Sequence, residues 1–371
     1  MAERIALFQI LSGTWLAQAC YALASLGVAD LLADGPRQAA SLARESGTDR
    51  RALLRVLRAV AAAGLARETA PGEFALTSLG QPLLSGVPRS SHQAAVMFGE
   101  EVHASFAEIT HTLRTGRPAF EKVYGQSFYD YLGDHPEAAR RFAAAMGAAP
   151  VPAALAACDV SGARLIVDVG GGDGGLLARV LRAQPQARGV LLDLPAALAQ
   201  APARLARAGV ADRAQVVAGS FFDPLPAGGD VYLLSRVLHN WDDDDAARVL
   251  GRLRAAVAPG GRLVVFEELL PDGQPAGSLP ATPSGEQEPA RPGGAPTTPG
   301  QAAPGQAAPG QAGTATSHLI DLLMLVMLSG CDRTEQEYRA LLAGAGFEVT
   351  SVRQAPLRPG QAESVIEAVP C

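Results

Sequence analysis

Apolar residues recur along this chain with two different periods, which separate a helical first part from a mixed second part. In the first part, helical spacing predicts three segments, at 6–32, 41–45 and 49–63. A Pro71-Gly72 turn then leads into an apolar run at 74–77, which predicts a short strand. Residues 1–90 are therefore predicted to form a mostly helical domain that ends in a small hairpin, with further helices over residues 91–157.

The second part alternates apolar runs of strand length with helical periodicity. The runs lie at 165–169, 189–194, 216–218, 230–234 and 262–267. Such alternation predicts a doubly wound parallel α/β sheet, with helices on both faces and ligands at the carboxyl ends of the strands. Two more helices, at 318–330 and 334–344, and a closing strand pair, at 347–352 and 364–369, complete a domain that spans residues 158–371.

Residues 271–317 interrupt this domain with a different composition, rich in Pro, Gly, Ala, Gln and Thr. The sequence Pro-Gly-Gln-Ala-Ala begins at Pro299 and is nearly repeated from Pro304 and Pro309. Such a tract cannot bury enough apolar area to offset the entropy lost on ordering it, so it predicts a disordered surface insertion. Loop closure entropy grows only logarithmically with length, so we expect the insertion to be dispensable for folding.

Composition limits the class of protein. The 371 residues suffice for two domains, and a formal net charge of -6 gives no basic surface for a nucleic-acid partner. The cysteines lack metal or redox spacing, so we expect free thiols and no metal; they are Cys20, Cys158, Cys331 and Cys371. The stretch 319–328 is about half as long as a membrane span and contains Asp321, and no basic run precedes an apolar core at the start. We therefore expect a soluble cytoplasmic protein without a membrane partner.

The sharpest motif is the turn from Gly170 to Gly175, which lies between a strand and a helix. Glycines let the backbone approach a ligand, and the amides at the helix start favour its anionic or polar parts. The next strand ends in Asp193, whose carboxylate can accept hydrogen bonds from both ribose hydroxyls. The pattern predicts a nucleotide-like cofactor and leaves NAD, S-adenosylmethionine and a purely structural glycine turn open, because Gly170, Gly172 and Gly175 also fit the dinucleotide fingerprint.

Three later segments favour S-adenosylmethionine. Read in order, Gly219 to Pro226, Leu234 to Asp243 and Val257 to Leu263 together resemble the S-adenosylmethionine-dependent O-methyltransferases of small aromatic molecules, which include plant phenylpropanoid and actinobacterial antibiotic-tailoring enzymes. The resemblance covers nearly the whole chain outside the insertion. It implies methylation of a phenolic hydroxyl on an aromatic polyketide or similar secondary metabolite. It also implies a Rossmann-like sheet with an antiparallel C-terminal hairpin, and a winged-helix domain that forms a homodimer.

The resemblance further implies the catalytic residues. A phenol with a pKa near 10 is a poor nucleophile at neutral pH, so a histidine base would help. In relatives, the histidine that matches His239 removes the hydroxyl proton, and the acids that match Glu267 and Asp332 assist it. The alternatives are that His239 packs or caps at a strand end, that Glu267 is a solvated strand-end acid, and that Asp332 caps a helix.

For the cofactor, the resemblance assigns Gly170 to the methionine end, Asp193 to the ribose and Ser220 with Phe221 to the adenine, with further contacts from Gly172, Gly219, Ser235 and Arg236. Ser220 stands where the family often has Asp, so we expect a weaker adenine contact there. The predicted acceptor residues are Phe142, Met146, Asn240 and Met324. Arg236 could instead be a surface cation, and Phe142, Met146 and Met324 could be ordinary core residues.

Other functions stay open on the sequence alone. A winged-helix domain can bind DNA, and Arg50, Arg51, Arg55 and Arg58 could contact phosphates in a regulator that senses S-adenosylmethionine. A relative with the same pocket could decarboxylate or hydroxylate its substrate, or methylate nitrogen or carbon.

Overall fold

The computed structural model describes residues 1–147, 151–270, 309–358 and 361–371. Its first domain places four helices against a small sheet: α1 Ala2–Leu11, α2 Gly13–Ser25, α3 Ala39–Ser46, α4 Arg50–Ala62, β1 Arg37–Gln38, β2 Ala66–Ala70 and β3 Glu73–Leu76. The sheet is antiparallel with the order β1-β3-β2. The predicted helix over 6–32 is divided, because α1 ends before Ser12 and a glycine begins α2.

Leucines from the helices and a phenylalanine from the wing form the core of the first domain. Leu23, Leu42, Leu57 and Phe74 are fully buried there. By contrast, α1 is largely exposed although it is apolar. The stretch Glu3–Ser25 has the length and mean hydropathy (1.2) of a membrane span, and none of its most apolar 18-residue window is buried; it is the one such helical stretch among the described residues.

A second group of short helices follows the first domain: α5 His92–Met97, α6 His103–Phe106, α7 Ile109–Thr115, α8 Ala119–Tyr124, α9 Phe128–Asp134 and α10 Pro136–Gly147. A π-helical turn, Phe98–Val102, connects α5 to α6. These helices pack through an aromatic cluster around Phe120 and Phe128, which Met327 from the other end of the chain joins. Helices α8, α9 and α10 therefore contact the second domain through this cluster.

The second domain is a mixed sheet with helices on both faces. Its elements are β4 Leu165–Val169, α11 Gly175–Ala183, β5 Arg188–Asp193, α12 Ala201–Arg207, β6 Ala214–Ala218, β7 Gly229–Ser235, α13 Asp243–Ala256, β8 Val257–Glu268, α14 Pro309–Met327, α15 Glu335–Gly344, β9 Phe347–Arg358 and β10 Gln361–Pro370. The order is β6-β5-β4-β7-β8-β10-β9, parallel from β6 to β8, with β10 antiparallel to both neighbours. The predicted Rossmann-like sheet with an antiparallel hairpin is confirmed.

The strand order reverses between β4 and β7, which creates a crevice at their carboxyl ends. Val169 pairs with Leu234 across these strands, so Gly170 and Ser235 leave the sheet side by side. One face of the sheet is covered by α13 and α15 through Leu250, Leu253 and Tyr338, and the opposite face by α11 and α12. The topology thus brings the loop after β4 and the loop after β7 to one crevice.

The predicted insertion 271–317 lies largely outside the described residues, which resume at Pro309. Helix α14 begins there, so the sequence pattern placed the start of this helix too late, at residue 318. The composition of 309–317 matched the repeat before it, which concealed the helix boundary.

Candidate active site

The turn after β4 is shaped by glycines and anchored by the next strand. Gly170 and Gly172 have φ values of +70° and +57°, in the left-handed region that favours glycine. The Gly172 amide donates to Asp193 Oδ2 at 2.8 Å, and the Leu194 amide donates to Asp193 Oδ1 at 2.7 Å. The structure therefore brings the predicted methionine and ribose residues together, with the Asp193 carboxylate directly beside the glycine turn.

A second carboxyl group, Asp168, lies beneath this turn and was not singled out from the sequence. It is fully buried, and a Cβ on Gly171 would lie 2.5 Å from its Cγ. Burial and the nearby negative charge of Asp193 raise the pKa of Asp168 to about 7. The signal in the sequence was an acid inside an otherwise apolar strand. A carboxyl group with this pKa is only partly ionised at neutral pH, which reduces the repulsion between the two acids under the turn.

The predicted adenine residues line the other side of the crevice. The Gly219 amide donates to the Asp193 carbonyl at 3.0 Å, and Ser220 Oγ accepts from the Phe222 amide at 3.2 Å. The Phe221 ring lies 3.7 Å from where a Cβ on Gly170 would be, and it contacts the edge of Trp241 with ring centroids 5.8 Å apart. These residues therefore form one continuous wall from the glycine turn to the loop that carries His239.

His239 lies on a short 3-10 turn after β7, between two acids from distant segments. Its Nδ1 is 3.2 Å from Asp332 Oδ1 and 3.9 Å from Glu267 Oε2. Both acids are buried, so Glu267 is not a solvated strand-end acid. Asp332 does not cap α15, because Thr334 forms the capping box of that helix. The predicted triad is assembled, with Asp332 as the direct hydrogen-bond partner of the ring.

Glu267 also holds the backbone of the His239 loop. Its Oε1 accepts hydrogen bonds from the amides of Val237 at 3.1 Å, Leu238 at 3.0 Å and His239 at 3.4 Å. A buried carboxylate is stable only where such donors replace water. The acid therefore fixes the loop through its backbone and acts on the ring mainly through its charge.

These charges set the protonation of the ring. Burial lowers the pKa of His239, but the charge of Glu267 and the hydrogen bond and charge of Asp332 outweigh it, and the net pKa is raised above the ordinary value for histidine. For the acid the effect of burial has the opposite sign, and it raises the pKa of Glu267. The site thus stabilises an imidazolium ion, which is the species that a histidine base forms when it accepts a proton.

Arg333 is a structural residue of this site that sequence reasoning missed. Its buried guanidinium group donates to the carbonyls of Leu238 at 3.1 Å and Trp241 at 2.8 Å, and it pairs with Asp243 at 2.8 Å. Glu267 therefore holds the loop by accepting from its backbone amides, and Arg333 holds it by donating to its backbone carbonyls. The only signal in the sequence was its place next to Asp332.

Two other predicted residues are engaged within the protein. The Asn240 amide group donates to the Arg236 carbonyl at 3.1 Å, which helps to close the loop. Arg236 itself has a φ of +55°, and its guanidinium pairs at 2.6 Å with the buried carboxylate of Glu363 on β10. Arg236 is therefore not a plain surface cation, because it links the loop to the C-terminal hairpin.

The predicted acceptor residues differ in their surroundings. Phe142 packs edge-on against Phe128, with centroids 5.2 Å apart, inside the aromatic cluster. Met324 is buried on α14, whereas Met146 is about half exposed at the end of α10. Gly147, which ends α10, comes so close to the glycine turn that an added Cβ would lie 3.0 Å from Asp173 Oδ2. Helix α10 thus reaches from the aromatic cluster to the cofactor crevice.

Gly330 tests how tightly the His239 loop is held. A Cβ at this position would lie 2.0 Å from the His239 carbonyl oxygen and 2.7 Å from the Asn240 Cα, both of them backbone atoms. We expect Gly330→Ala to displace the loop and to reduce turnover about a hundredfold, since a shift of about 1 Å in a catalytic group has that effect. Steady-state kinetics with circular dichroism would measure both activity and folding.

Gly251→Ala is the matched control, because Gly251 lies inside α13 and its added Cβ meets nothing within 4 Å. This variant should keep full turnover and gain about 1 kcal/mol of stability from helix propensity. Equal turnover in the two variants would contradict the tight packing of Gly330 against the loop.

Comparison with known families accounts for both domains. A family model of the O-methyltransferase dimerisation domain matches residues 8–86, and one of the O-methyltransferase domain matches residues 106–282. A phenazine O-methyltransferase of Lysobacter antibioticus is 38% identical over 98% of this chain and 95% of its own. An 8-amino-8-demethylriboflavin N,N-dimethyltransferase of Streptomyces davaonensis is 35% identical over 94% of this chain and 90% of its own.

One similar protein has been solved with its ligands bound. An O-methyltransferase from neocarzinostatin biosynthesis, in complex with S-adenosylmethionine and 2-hydroxy-5-methyl naphthoic acid, is 31% identical, covers 96% of each chain and has a TM-score of 0.73. The choice of S-adenosylmethionine over NAD is thereby confirmed. This chain belongs to the S-adenosylmethionine-dependent O-methyltransferase family, whose relatives tailor antibiotics and other secondary metabolites.

Proposed function

We propose that this enzyme methylates a phenolic hydroxyl of an aromatic small molecule and that His239 is the base. The observation that carries the proposal is the hydrogen bond of 3.2 Å between His239 and the buried Asp332. The aromatic cluster around Phe128 and Phe142 suits a flat acceptor ring. The names of the relatives point the same way, since one is a phenazine O-methyltransferase and another was solved with a hydroxylated naphthoic acid.

In this proposal Asp332 accepts the Nδ1 proton of His239, which leaves Nε2 free to take the hydroxyl proton. S-adenosylmethionine, held at Gly170, Asp193 and Phe221, supplies an electrophilic methyl group. As the phenolic oxygen bonds to the methyl carbon, the carbon–sulfur bond breaks and the proton stays on His239. The positive charge that forms on the ring lies between Asp332 and Glu267 and is thereby stabilised.

N-methylation is the second candidate, because the riboflavin relative is an N,N-dimethyltransferase. A neutral amine attacks with its own lone pair and needs no prior deprotonation, whereas a phenol with a pKa near 10 does. An imidazole whose pKa is raised by two buried acids serves a hydroxyl acceptor better. We therefore favour oxygen as the methyl acceptor.

Replacement of the base gives the direct test. We expect His239→Ala to bind S-adenosylhomocysteine as the wild type does and to lose about 10² to 10⁴ in kcat, the usual contribution of a positioned base. Isothermal calorimetry and turnover with methyl-labelled cofactor and hydroxylated aromatic acids would measure the two quantities. The exposed His135→Ala is the matched control and should keep its activity. Undiminished turnover by His239→Ala would remove the base assignment.

The pH profile tests the role of Asp332 separately. Turnover needs neutral His239, so kcat should fall as the pH drops through the raised pKa of this residue. Asp332→Asn removes a negative charge from the ring, so the pKa of His239 should fall, the acid limb should move to lower pH and the plateau should decrease. Asp245→Asn, at an exposed pair with Arg248, should leave the limb in place. If the acid limb of the pH profile stayed in place in Asp332→Asn, the pairing of Asp332 with His239 would be contradicted.

We also propose that the enzyme is a homodimer whose interface includes α1 and α2. Ile5, Phe8, Ile10 and Trp15 are more than half exposed on these helices, which overlap the matched dimerisation domain. A second copy would cover these side chains, which is our explanation for the exposed apolar window within Glu3–Ser25. The exposed arginines of α4 are not needed for this interface, and Arg58 pairs with Glu68.

Sedimentation velocity tests the dimer. The wild type should sediment as a dimer, and Ile10→Glu combined with Trp15→Glu should shift it to monomer, because charges would be buried without partners. Leu113→Glu is the control: Leu113 is equally exposed but lies outside the matched dimerisation domain. A dimer that persists in the double variant would contradict this interface.

A further inference from the structure

Tyr129 on α9 makes an aromatic contact between the helical segment and the cofactor domain. Its ring stacks on Trp241 with centroids 5.2 Å apart and an interplanar angle of 20°. It also makes T-shaped contacts with Phe128, with centroids 5.6 Å apart, and with Phe142 at 6.3 Å. The ring is therefore packed among three aromatic rings, and it joins the predicted acceptor wall to the His239 loop.

The stack places the phenol at the cofactor crevice. Trp241 contacts Phe221, and Phe221 lies against Gly170, so Tyr129 continues the wall that starts at the glycine turn. Burial, and to a smaller extent the negative charge of Asp193, raise the pKa of Tyr129, so its hydroxyl stays neutral. Within the described part of the chain no hydrogen bond engages this hydroxyl. It is thus a neutral donor, and its ring lies next to the wall of the crevice through Trp241.

We propose that Tyr129 is a cofactor-binding residue and that its hydroxyl forms a hydrogen bond with a ribose hydroxyl of S-adenosylmethionine. The proposal rests on the assignment of Asp193 to the ribose under the proposed function. Asp193 then holds the ribose from the sheet, and Tyr129 holds it from α9. A ring locked between Trp241 and Phe142 loses little freedom when its hydroxyl forms this bond.

The arrangement has a consequence for the acceptor side. Phe128 lies next to Tyr129 along α9, and both rings contact Phe142 on α10. The hydrogen bond between Tyr129 and the bound ribose would therefore link the cofactor to the wall that the acceptor ring contacts. Loss of this hydroxyl would remove that link and keep the packed rings in place.

The test compares two phenols on the same helix. Tyr129→Phe removes the hydroxyl and keeps the stack on Trp241, while Tyr131→Phe removes a hydroxyl whose ring packs instead against Tyr124 and Phe120. Isothermal calorimetry would use S-adenosylhomocysteine and its 2′-deoxy and 3′-deoxy analogues. We expect Tyr129→Phe to bind S-adenosylhomocysteine about three- to tenfold more weakly, the usual net effect of one hydrogen bond, and Tyr131→Phe to bind it as the wild type does.

One deoxy analogue should bind the wild type and Tyr129→Phe equally, because it lacks the hydroxyl that Tyr129 contacts. Equal affinity of the wild type and Tyr129→Phe for S-adenosylhomocysteine would overturn the proposal, as would equal weakening by Tyr131→Phe. A deficit that persists with both analogues would also overturn it. If the wild type bound S-adenosylhomocysteine but Asp193→Asn bound it equally well, the ribose assignment itself would fail, whatever the result for Tyr129.

Discussion

The buried Glu267 carboxylate is the interaction on which the active site depends. An ion without water must be surrounded by donors, and here three consecutive backbone amides supply them. Those amides belong to the residues that carry the histidine beyond β7, so the donors that hold Oε1 of Glu267 also fix the loop of the imidazole. The same charge raises the pKa of His239. One burial event therefore determines both the position and the protonation of the proposed base.

Loop, crevice and acceptor wall are coupled by packing. The loop lies at the crevice because the strand order reverses between β4 and β7. Trp241, at the end of the loop, touches Phe221 on one side and Tyr129 on the other. The cofactor wall and the acceptor wall therefore meet at Trp241. Because protein interiors are closely packed, a small displacement of one wall would be passed to the other through this side chain.

The sequence predicted those features that depend on local patterns or on a known motif. Apolar runs located the strands, and the glycine turn with the acid after β5 located the cofactor crevice. The pairing of His239 with Asp332 followed only from resemblance, because the two residues are far apart in the chain. Arg333 and the role proposed for Tyr129 were missed for the same physical reason: both depend on contacts, with Leu238 and Trp241 respectively, that only the fold brings about.

Packing explains how an aspartate, which is the shorter of the two acidic side chains, reaches the imidazole from position 332. An aspartate reaches less far than a glutamate, so its backbone must approach the imidazole more closely to form the bond of 3.2 Å. Gly330 permits that approach, since its Cα lies against the backbone of His239 and Asn240 where no side chain would fit. The Asp332 amide is held in turn by Asp321 Oδ1 at 2.9 Å. Gly330 and Asp332 thus act together. A side chain at position 330, or a longer acid at position 332, would push this segment away from the imidazole of His239.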